Sequence, residues 1–361
     1  MTHIWQTPAW PRFTHDPAAA EPLLAAAMEA VGEVSGLQAG LEGAERDALR
    51  LSQVVQEALS SFGIEGVTLN AGEIEASVIA SLRHRDRAAV ARRSDAIVEL
   101  MVEARRAEGP LTAALLQDWH RLLFFGIEVE DAGRWRGFDI EIVRSAAAGP
   151  SDVLYKAPPP ERVGPEMERF LGWLAQEAAL PVPIRAAIAH IWFESIHPFS
   201  DGNGRIGRAV VEHVFARAAR PLPFSLSRQI EKDKKAYYAA LQDGRREGAG
   251  GVDATAFVLW FLATLQRAAE AGREEARFLV RRNRYLARLG PGLSPRTRAV
   301  LETLFAQGPG RVEQGLSARS YSRIAKVSGP TATRDLAALV AAGGARRSEA
   351  GGRSTVYLLE Y

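Results

Sequence analysis

Apolar residues return every three or four positions along most of this chain and alternate with polar ones in only two places. That pattern predicts a mainly α-helical protein with two small hairpins. Residues 21–34 read as one amphipathic helix and 41–59 (Leu41, Leu49, Val54, Val55, Leu59) as a second. Residues 73–106 and 111–125 read as further helices, the latter opening after Gly109-Pro110. Within it Trp119, Leu122 and Leu123 are core candidates, and His120 reads as a satisfied structural histidine. Helical spacing recurs at 166–180, at 186–196, from 205 onward (Ile206, Val210, Val211, Val214), at 231–241, and at 255–270. In that last stretch Phe257, Trp260, Phe261 and Leu265 should close the core. Three stretches break the rhythm: 1–20, with Trp5, Trp10 and Phe13 among prolines, an irregular or strand-like cap; 222–229, a loop holding Ser225 and Ser227; and the glycine-rich 244–251.

The first alternating stretch runs from Arg134-Trp135-Arg136-Gly137 into Ile140-Glu141-Ile142-Val143, through a small-residue turn at 145–150, to Val153-Leu154-Tyr155. Pro158-Pro159-Pro160 ends it, so a β-hairpin over 134–157 is expected inside a helical protein. The second closes the chain. After an Arg- and Glu-rich linking helix (271–293), residues 294–361 give helix, short helix (321–327), Gly329-Pro330 turn, helix from Thr331, and two strand-like runs, 345–349 and 354–358. That order resembles a winged helix-turn-helix domain.

Charge changes how this last unit reads. The chain of 361 residues carries a net charge of only +2. Residues 281–361 alone hold 14 Lys/Arg against 5 Asp/Glu, a net of +9, which leaves −7 for the rest. A basic end suggests an anionic partner, with Arg334, Arg346, Arg347 and Arg353 on the surfaces that would meet DNA. Winged helices also serve protein contacts and dimerisation, so DNA and a second copy of the chain both stand as partners. Composition otherwise describes an ordinary soluble protein, at 47% hydrophobic and 24% charged residues. Without cysteine there is no disulfide scaffold, cysteine nucleophile or thiolate metal site. The first residues lack a basic stretch and an apolar run, and no apolar run approaches membrane-spanning length, so a cytoplasmic protein with no membrane partner is expected.

The chemistry concentrates in residues 197–208, His-Pro-Phe-Ser-Asp-Gly-Asn-Gly-Arg-Ile-Gly-Arg. His197 falls at a helix end, Pro198 and the glycines break the helix, and Arg205 restarts it. Loop amides ahead of a new helix form an anion nest. Asp201 could hold a divalent cation against a phosphate there, Arg205 and Arg208 could neutralise neighbouring phosphates, and His197 is the natural proton acceptor for a nucleophile. Those twelve residues describe a phosphoryl or nucleotidyl transfer site.

The stretch resembles the motif of the Fic family, His-Pro-Phe-x-(Asp/Glu)-Gly-Asn-Gly-Arg-x-x-Arg, at every defined position. The resemblance implies transfer of AMP from ATP to a protein hydroxyl. It gives His197 as base, Asp201 as the Mg²⁺ ligand, Gly202, Asn203 and Gly204 around the α-phosphate, and Arg205 and Arg208 on the β- and γ-phosphates. It names the hairpin a flap that holds the target by strand addition through Ile140, Ile142, Val153 and Tyr155; a purely structural hairpin is the alternative. Upstream, Ser61-x-x-x-Glu65-Gly66 fits both a helix stopped by Gly66 and the family's inhibitory motif. Beside a full catalytic motif the second reading is preferred, with an inhibitory helix at about 50–66 whose Glu65 pairs with Arg208. Tyr237 and Tyr238 could pack on adenine or belong to the core. Arg245 stands where many members carry Asn or Gln facing the base, which leaves base choice open. The expected organisation is therefore an N-terminal helical region (1–106), a catalytic core (107–270), the linking helix and the winged domain. The expected protein is a self-inhibited adenylyltransferase acting on Tyr, Thr or Ser hydroxyls, its own included. Alternatives are a DNA-binding regulator that senses nucleotide, an enzyme removing AMP, and transfer of another phosphate-linked group.

Overall fold

A computed structural model describes residues 3–83, 90–106, 108–143, 153–348 and 355–361. The chain divides into two compact units, residues 1–273 and 274–361.

The first unit opens with a short strand, β1 (Phe13–Thr14), and then α1 (Pro17–Ala39). Asp16 starts α1 by accepting the Ala18 and Ala19 amides, with Pro17 in the first turn where its missing N–H costs nothing. Next come α2 (Gly43–Ile64), α3 (Ala71–Arg83), α4 (Arg93–Arg106), and α5 (Ala113–Leu123), which Thr112 caps. The periodic stretch at 73–106 is thus two helices, and residues 84–89 between them lie outside the described residues. Strands β2 (Glu141–Val143) and β3 (Val153–Lys156) pair antiparallel, with Ile142 opposite Tyr155 and a shift in register at Val143. The expected turn at 145–150 lies outside the described residues.

Helices α6 (Pro160–Gln176), α7 (Val182–Ile196) and α8 (Asn203–Arg217) follow. Every residue of α7 from Ala186 to Ile196 is buried, and a helix that is apolar all round belongs in the middle of a core. Phe170, Phe193, Phe257 and Phe261 pack in the same core. The expected loop at 222–229 already contains the start of α9 (Leu226–Lys232), because the Ser225 hydroxyl accepts the Arg228 amide and caps it. After α10 (Lys234–Asp243), the glycine-rich stretch is a hairpin, β4 (Arg246–Gly248) and β5 (Gly251–Asp253). β1 adds to β5 in parallel, Phe13 beside Val252, through Val252 N–H to Arg12 carbonyl at 2.7 Å and Ala254 N–H to Thr14 carbonyl at 2.8 Å.

Helix α11 (Thr255–Leu289) runs unbroken through the stretch expected as a separate linking helix. Its one interior glycine, Gly272, leaves room for Phe224, whose Cβ would lie 2.9 Å from an added Cβ. In the second unit, Phe278, Tyr285 and Leu289 join Val300, Leu301, Leu304, Leu336 and Tyr357 in one core, so 278–289 is more than a linker. That unit continues as α12 (Pro295–Ala306), α13 (Pro309–Glu313), α14 (Ala318–Ala325), α15 (Gly329–Ala341), β6 (Ala345–Arg347) and β7 (Tyr357–Leu359). β6 and β7 pair antiparallel, and Arg353 lies outside the described residues. Asp335 of α15 takes two bonds from Arg296, at 2.8 and 3.1 Å, and one from the buried Tyr321 hydroxyl at 3.0 Å, which fixes α12, α14 and α15 against each other. Among the described residues no helix is long and apolar enough to cross a membrane.

Gly251 has a specific reason to be glycine: an added Cβ would run into the Arg12 carbonyl and within 2.9 Å of Thr14. Gly251→Ala is therefore expected to pull β1 away from β5 while sparing the helical core. A loss of about 1–3 kcal/mol, typical of overpacking, should appear in thermal unfolding, with faster proteolysis before residue 17.

Candidate active site

The site is built on the corner between α7 and α8. His197 ends α7 with φ 51° and ψ 61°, a left-handed conformation uncommon for a non-glycine residue, while its N–H still bonds to the Phe193 carbonyl at 3.0 Å. A buried arginine holds that backbone. Arg136 Nε donates to the His197 carbonyl at 2.7 Å, Nη1 to Phe138 at 2.7 Å, and Nη2 to Pro158 at 2.6 Å and Ile196 at 3.4 Å. Its own amide bonds to the Pro198 carbonyl at 2.9 Å. Phe199 then turns inward, its ring stacked on His120 at 4.0 Å and 3°. His120 Nδ1 accepts the Gly133 amide at 2.8 Å, which leaves Nε2 as the donor to the Asp201 carbonyl at 3.1 Å. Burial lowers its basicity, and this neutral histidine is structural.

Asn203 closes the loop. Its Oδ1 accepts the Phe199 amide at 2.9 Å and its Nδ2 donates to the Phe199 carbonyl at 2.8 Å. The side chain thus shapes the loop, and it also lines the cleft with one Nδ2 hydrogen that these bonds do not use. Gly202, at φ 80°, has the open first turn of α8 behind it, and an added Cβ would meet Leu123 and Phe124. Asp201 Oδ1 accepts the Gly202 amide at 2.6 Å and Oδ2 takes Arg205 Nη2 at 3.1 Å.

The two arginines are held differently. The Arg205 guanidinium sits between the Phe62 and Phe124 rings, at 5.2 and 5.3 Å. Arg208 reaches α2: Nε to Ser61 Oγ at 3.0 Å, Nη2 to the Ser61 carbonyl at 2.7 Å and to Glu65 Oε1 at 2.9 Å. The Glu65 carboxylate lies where a Cβ on Gly204 would be, directly over the start of α8.

A cleft of about 970 Å³ opens above this corner. His197, Asp201, Gly202, Asn203, Gly204, Glu65, Tyr237 and Tyr238 line it from the expected set, with Ile142 and Tyr155 from the hairpin. Arg205 and Arg208 do not line it; both are buried behind Asp201 and Glu65. Of the tyrosines, Tyr237 is a core residue whose hydroxyl bonds to His190 Nε2 at 2.8 Å, whereas Tyr238 is 45% exposed. Tyr155, expected to dock a target, is buried, with its hydroxyl donating to the Ser195 carbonyl at 2.7 Å. Ile140 extends the hairpin by accepting the Ala157 amide at 3.1 Å, and Val153 is half-buried outside the cleft lining.

Glu194 and Leu154 are among the cleft residues that the sequence reading did not assign to a site, and Arg245, expected where a base is faced, does line the cleft. Arg245 lies 4.4 Å over the Tyr155 ring and donates from Nε to Ser195 Oγ at 2.9 Å. Glu194 is buried, 3.8 Å from His197 Nδ1, and burial pushes its carboxyl up to about 7. A lone carboxylate inside the apolar run 186–196 was the available signal for it. Leu154, beside Tyr155, also faces the cleft. Burial, and then the Arg245 charge, bring His197 down to about 4. Among the described residues no three His, Asp or Glu side chains gather as a metal cage. Asp201, 69% exposed and with lone pairs left on both oxygens, fits a cation that completes its shell with phosphate oxygens, as Mg²⁺ does.

Residues 110–215 match the Fic/DOC family, and residues 3–83 match a domain of unknown function, DUF4172. A protein adenylyltransferase Fic of Culex quinquefasciatus is 29% identical over 223 residues, 59% of this chain and 40% of the relative. A probable protein adenylyltransferase of Aquifex aeolicus is 32% identical over 120 residues, 32% of this chain and 34% of the relative. The chain thus spans two fifths or less of the length of these curated relatives. Among solved structures, a Fic family protein from Desulfovibrio desulfuricans G20 superposes with TM-score 0.58 at 22% identity, over 98% of both chains. Fic-1 (residues 134–508) from C. elegans gives 0.52 at 20% identity, over 73% of each. The match to the Fic/DOC family thus lies in residues 110–215, and the likeness to these structures is one of fold.

The cleft's electrostatics are measurable directly. By NMR titration His197 should protonate near pH 4 rather than 6.5, and Arg245→Leu should raise that value only part of the way, because burial is the larger cause. An unfolded histidine takes its proton near 6.5, so His197 withdraws stability as pH falls from about 6.5 to 4. A wild-type value at 6.5 would remove the buried, neutral His197.

Proposed function

We propose that this chain is a self-inhibited protein adenylyltransferase that moves AMP from ATP to a Tyr, Thr or Ser hydroxyl, with α2 as the inhibitory helix. The ion pair between Glu65 and Arg208, joining residues 143 positions apart directly over the start of α8, carries the reading. The Fic/DOC match and the several relatives named protein adenylyltransferase support the chemistry.

In this reading a target segment lies beside β2 and brings its hydroxyl to His197. Trp5 Nε1 already donates to the Lys156 carbonyl at 2.9 Å, so the hairpin is braced on the β3 side and β2 is the edge left to receive a strand. His197, neutral at physiological pH, accepts the hydroxyl proton as the oxygen bonds to the α-phosphorus. The bond from that phosphorus to the bridging oxygen breaks, and pyrophosphate leaves. The amides at the start of α8 face the charge that develops on the α-phosphate. Asp201 would hold Mg²⁺, which neutralises the phosphates when bound. Tyr238 is the aromatic face open to a base.

Glu65 blocks the productive arrangement in two ways. It occupies Arg208, the cation a γ-phosphate would use, and it presents a carboxylate over Gly204 where the polyphosphate would pass. A charged hydrogen bond of about 1.5–3 kcal/mol corresponds to roughly 10- to 100-fold in rate. Glu65→Gly should therefore raise incorporation of label from α-³²P-ATP into the chain by that order, and adding His197→Ala should abolish it. Equal labelling of wild type and Glu65→Gly would remove the brake.

The exposed Arg334, Arg346 and Arg347 favour a second reading in which residues 294–361, a winged helix-turn-helix, bind DNA and the nucleotide site reports on ATP. A duplex-DNA gel shift is expected to weaken steeply with salt and after Arg346→Ala/Arg347→Ala. Sequence-selective binding with no label transfer, even in Glu65→Gly, would put this reading first.

A further inference from the structure

We infer that the segment from Ser225 to Lys234 is the latch of the inhibitory helix, with Lys234 as a positioning residue for Glu65. The inference rests on the reading of Glu65 as the brake.

Glu65 is the C-terminal cap of α2, so its carboxylate reaches Arg208 only while the last turn of that helix stays formed and in place. The carboxylate itself has few contacts: Arg208, and the Tyr238 hydroxyl at 3.5 Å. Arg208 at Ser61 and the buried Phe62 and Ile64 hold the start and side of the turn, and its last carbonyls need a partner of their own. Helix C-termini leave carbonyls without intrahelical partners, and a cation there is doubly favoured, by hydrogen bonding and by the helix dipole. Lys234 supplies it from the first residue of α10, its Nζ bonding to the carbonyls of Gly63 at 2.6 Å and Ile64 at 3.2 Å. These are the two residues immediately before Glu65. Gly63 makes room for another side chain of the same segment, since the Glu231 carboxylate occupies the space a Cβ on residue 63 would take.

The same segment grips α2 two turns earlier. Glu57 is buried and accepts hydrogen bonds from Ser225 Oγ at 2.7 Å, the Ser227 amide at 3.1 Å, and the Ser227 hydroxyl. A buried carboxylate with three donors is costly to pull out, because each donor left behind loses its partner. Ten residues of the catalytic unit thus hold the inhibitory helix at Glu57 and again at its end. Residues of α10 that face the cleft, Lys235, Tyr238 and Gln242, follow directly on Lys234. A ligand pressing on that face acts on the element that caps the brake.

The test is a cycle of full-length variants labelled with α-³²P-ATP: wild type, Lys234→Met, Lys234→Arg, Glu65→Gly and Glu65→Gly/Lys234→Met. Lys234→Met should raise self-labelling about threefold or more, less than Glu65→Gly does, and Lys234→Arg should stay near wild type because it keeps the donors. In the Glu65→Gly background the same Lys234→Met change should have no effect, since there is no carboxylate left to position. Hydrogen exchange should quicken at residues 61–66 in Lys234→Met, with the unfolding midpoint showing that the chain remains folded. An equal effect of Lys234→Met in both backgrounds, or no effect in either while Glu65→Gly activates, would overturn the latch and leave the brake standing. No activation by Glu65→Gly would overturn the brake, and the latch with it.

Discussion

A guanidinium taken out of water loses strong hydration, and one with no carboxylate bonded to it recovers that loss mainly from other hydrogen bonds. Arg136 does so by bonding to carbonyls of Phe138, Pro158, Ile196 and His197, which belong to three separate stretches of chain. Those carbonyls can converge only if the hairpin's entrance, its exit and the end of α7 meet at one point. The left-handed conformation at His197 follows from the same convergence, because it turns the His197 carbonyl toward Arg136. The catalytic histidine of the proposed mechanism and the proposed docking strand therefore share one anchor. Phe199 on His120, and Asn203 folded back on Phe199, carry the rigidity from there to the start of α8.

On that frame, positive charge is present but withheld. Arg205 is held between two rings and tied to Asp201, and Arg208 is turned toward Ser61 and Glu65, so the cleft wall at the start of α8 has its amides but neither arginine. Both restraints reach back to α2, through Phe62 for Arg205 and through Ser61 and Glu65 for Arg208. A displacement of that one helical turn would change the surroundings of both guanidiniums together. This gives the proposed inhibition its physical content: the helix holds Arg208 off the phosphate path and packs Phe62 against Arg205, which Asp201 and Phe124 also hold.

Residues 197–208 were legible in the sequence because their chemistry is local. A histidine, a carboxylate, glycines and arginines at fixed offsets around a helix break can form little else. The rest depended on partners elsewhere in the chain or on a loop conformation that local spacing does not specify. GRREGAGG looks like a loop, but 246–248 pairs with 251–253, and β1, more than 200 residues earlier, adds to that hairpin at Val252 and Asp253. Tyr237 and Tyr238 are equivalent in periodicity, and only His190 on another helix makes one of them core. Asn203 has the right type for a phosphate ligand, and the loop-shaping role it also takes, tying Phe199, depends on a loop conformation that no local rule specifies. Arg136 stood in a strand-entry motif with no sign that its partners would all be carbonyls.

The three ionisable groups around the cleft floor constrain one another in a way that bears on the direction of proton flow. Glu194 sits 3.8 Å from His197, close enough that a full negative charge would stabilise a protonated imidazole. Burial opposes that by raising Glu194 to about 7, and burial, followed by the Arg245 charge, opposes it further by lowering His197 to about 4. The imidazole consequently stands ready as an acceptor, with Glu194 at a pH where it can be charged or neutral. In the proposed mechanism, once His197 takes a proton its positive charge favours an ionised Glu194, so the neighbouring carboxylate acts most strongly after the transfer has begun. A base that is weak at rest and gains a counter-charge on protonation is one whose stabilisation is concentrated in the transition state.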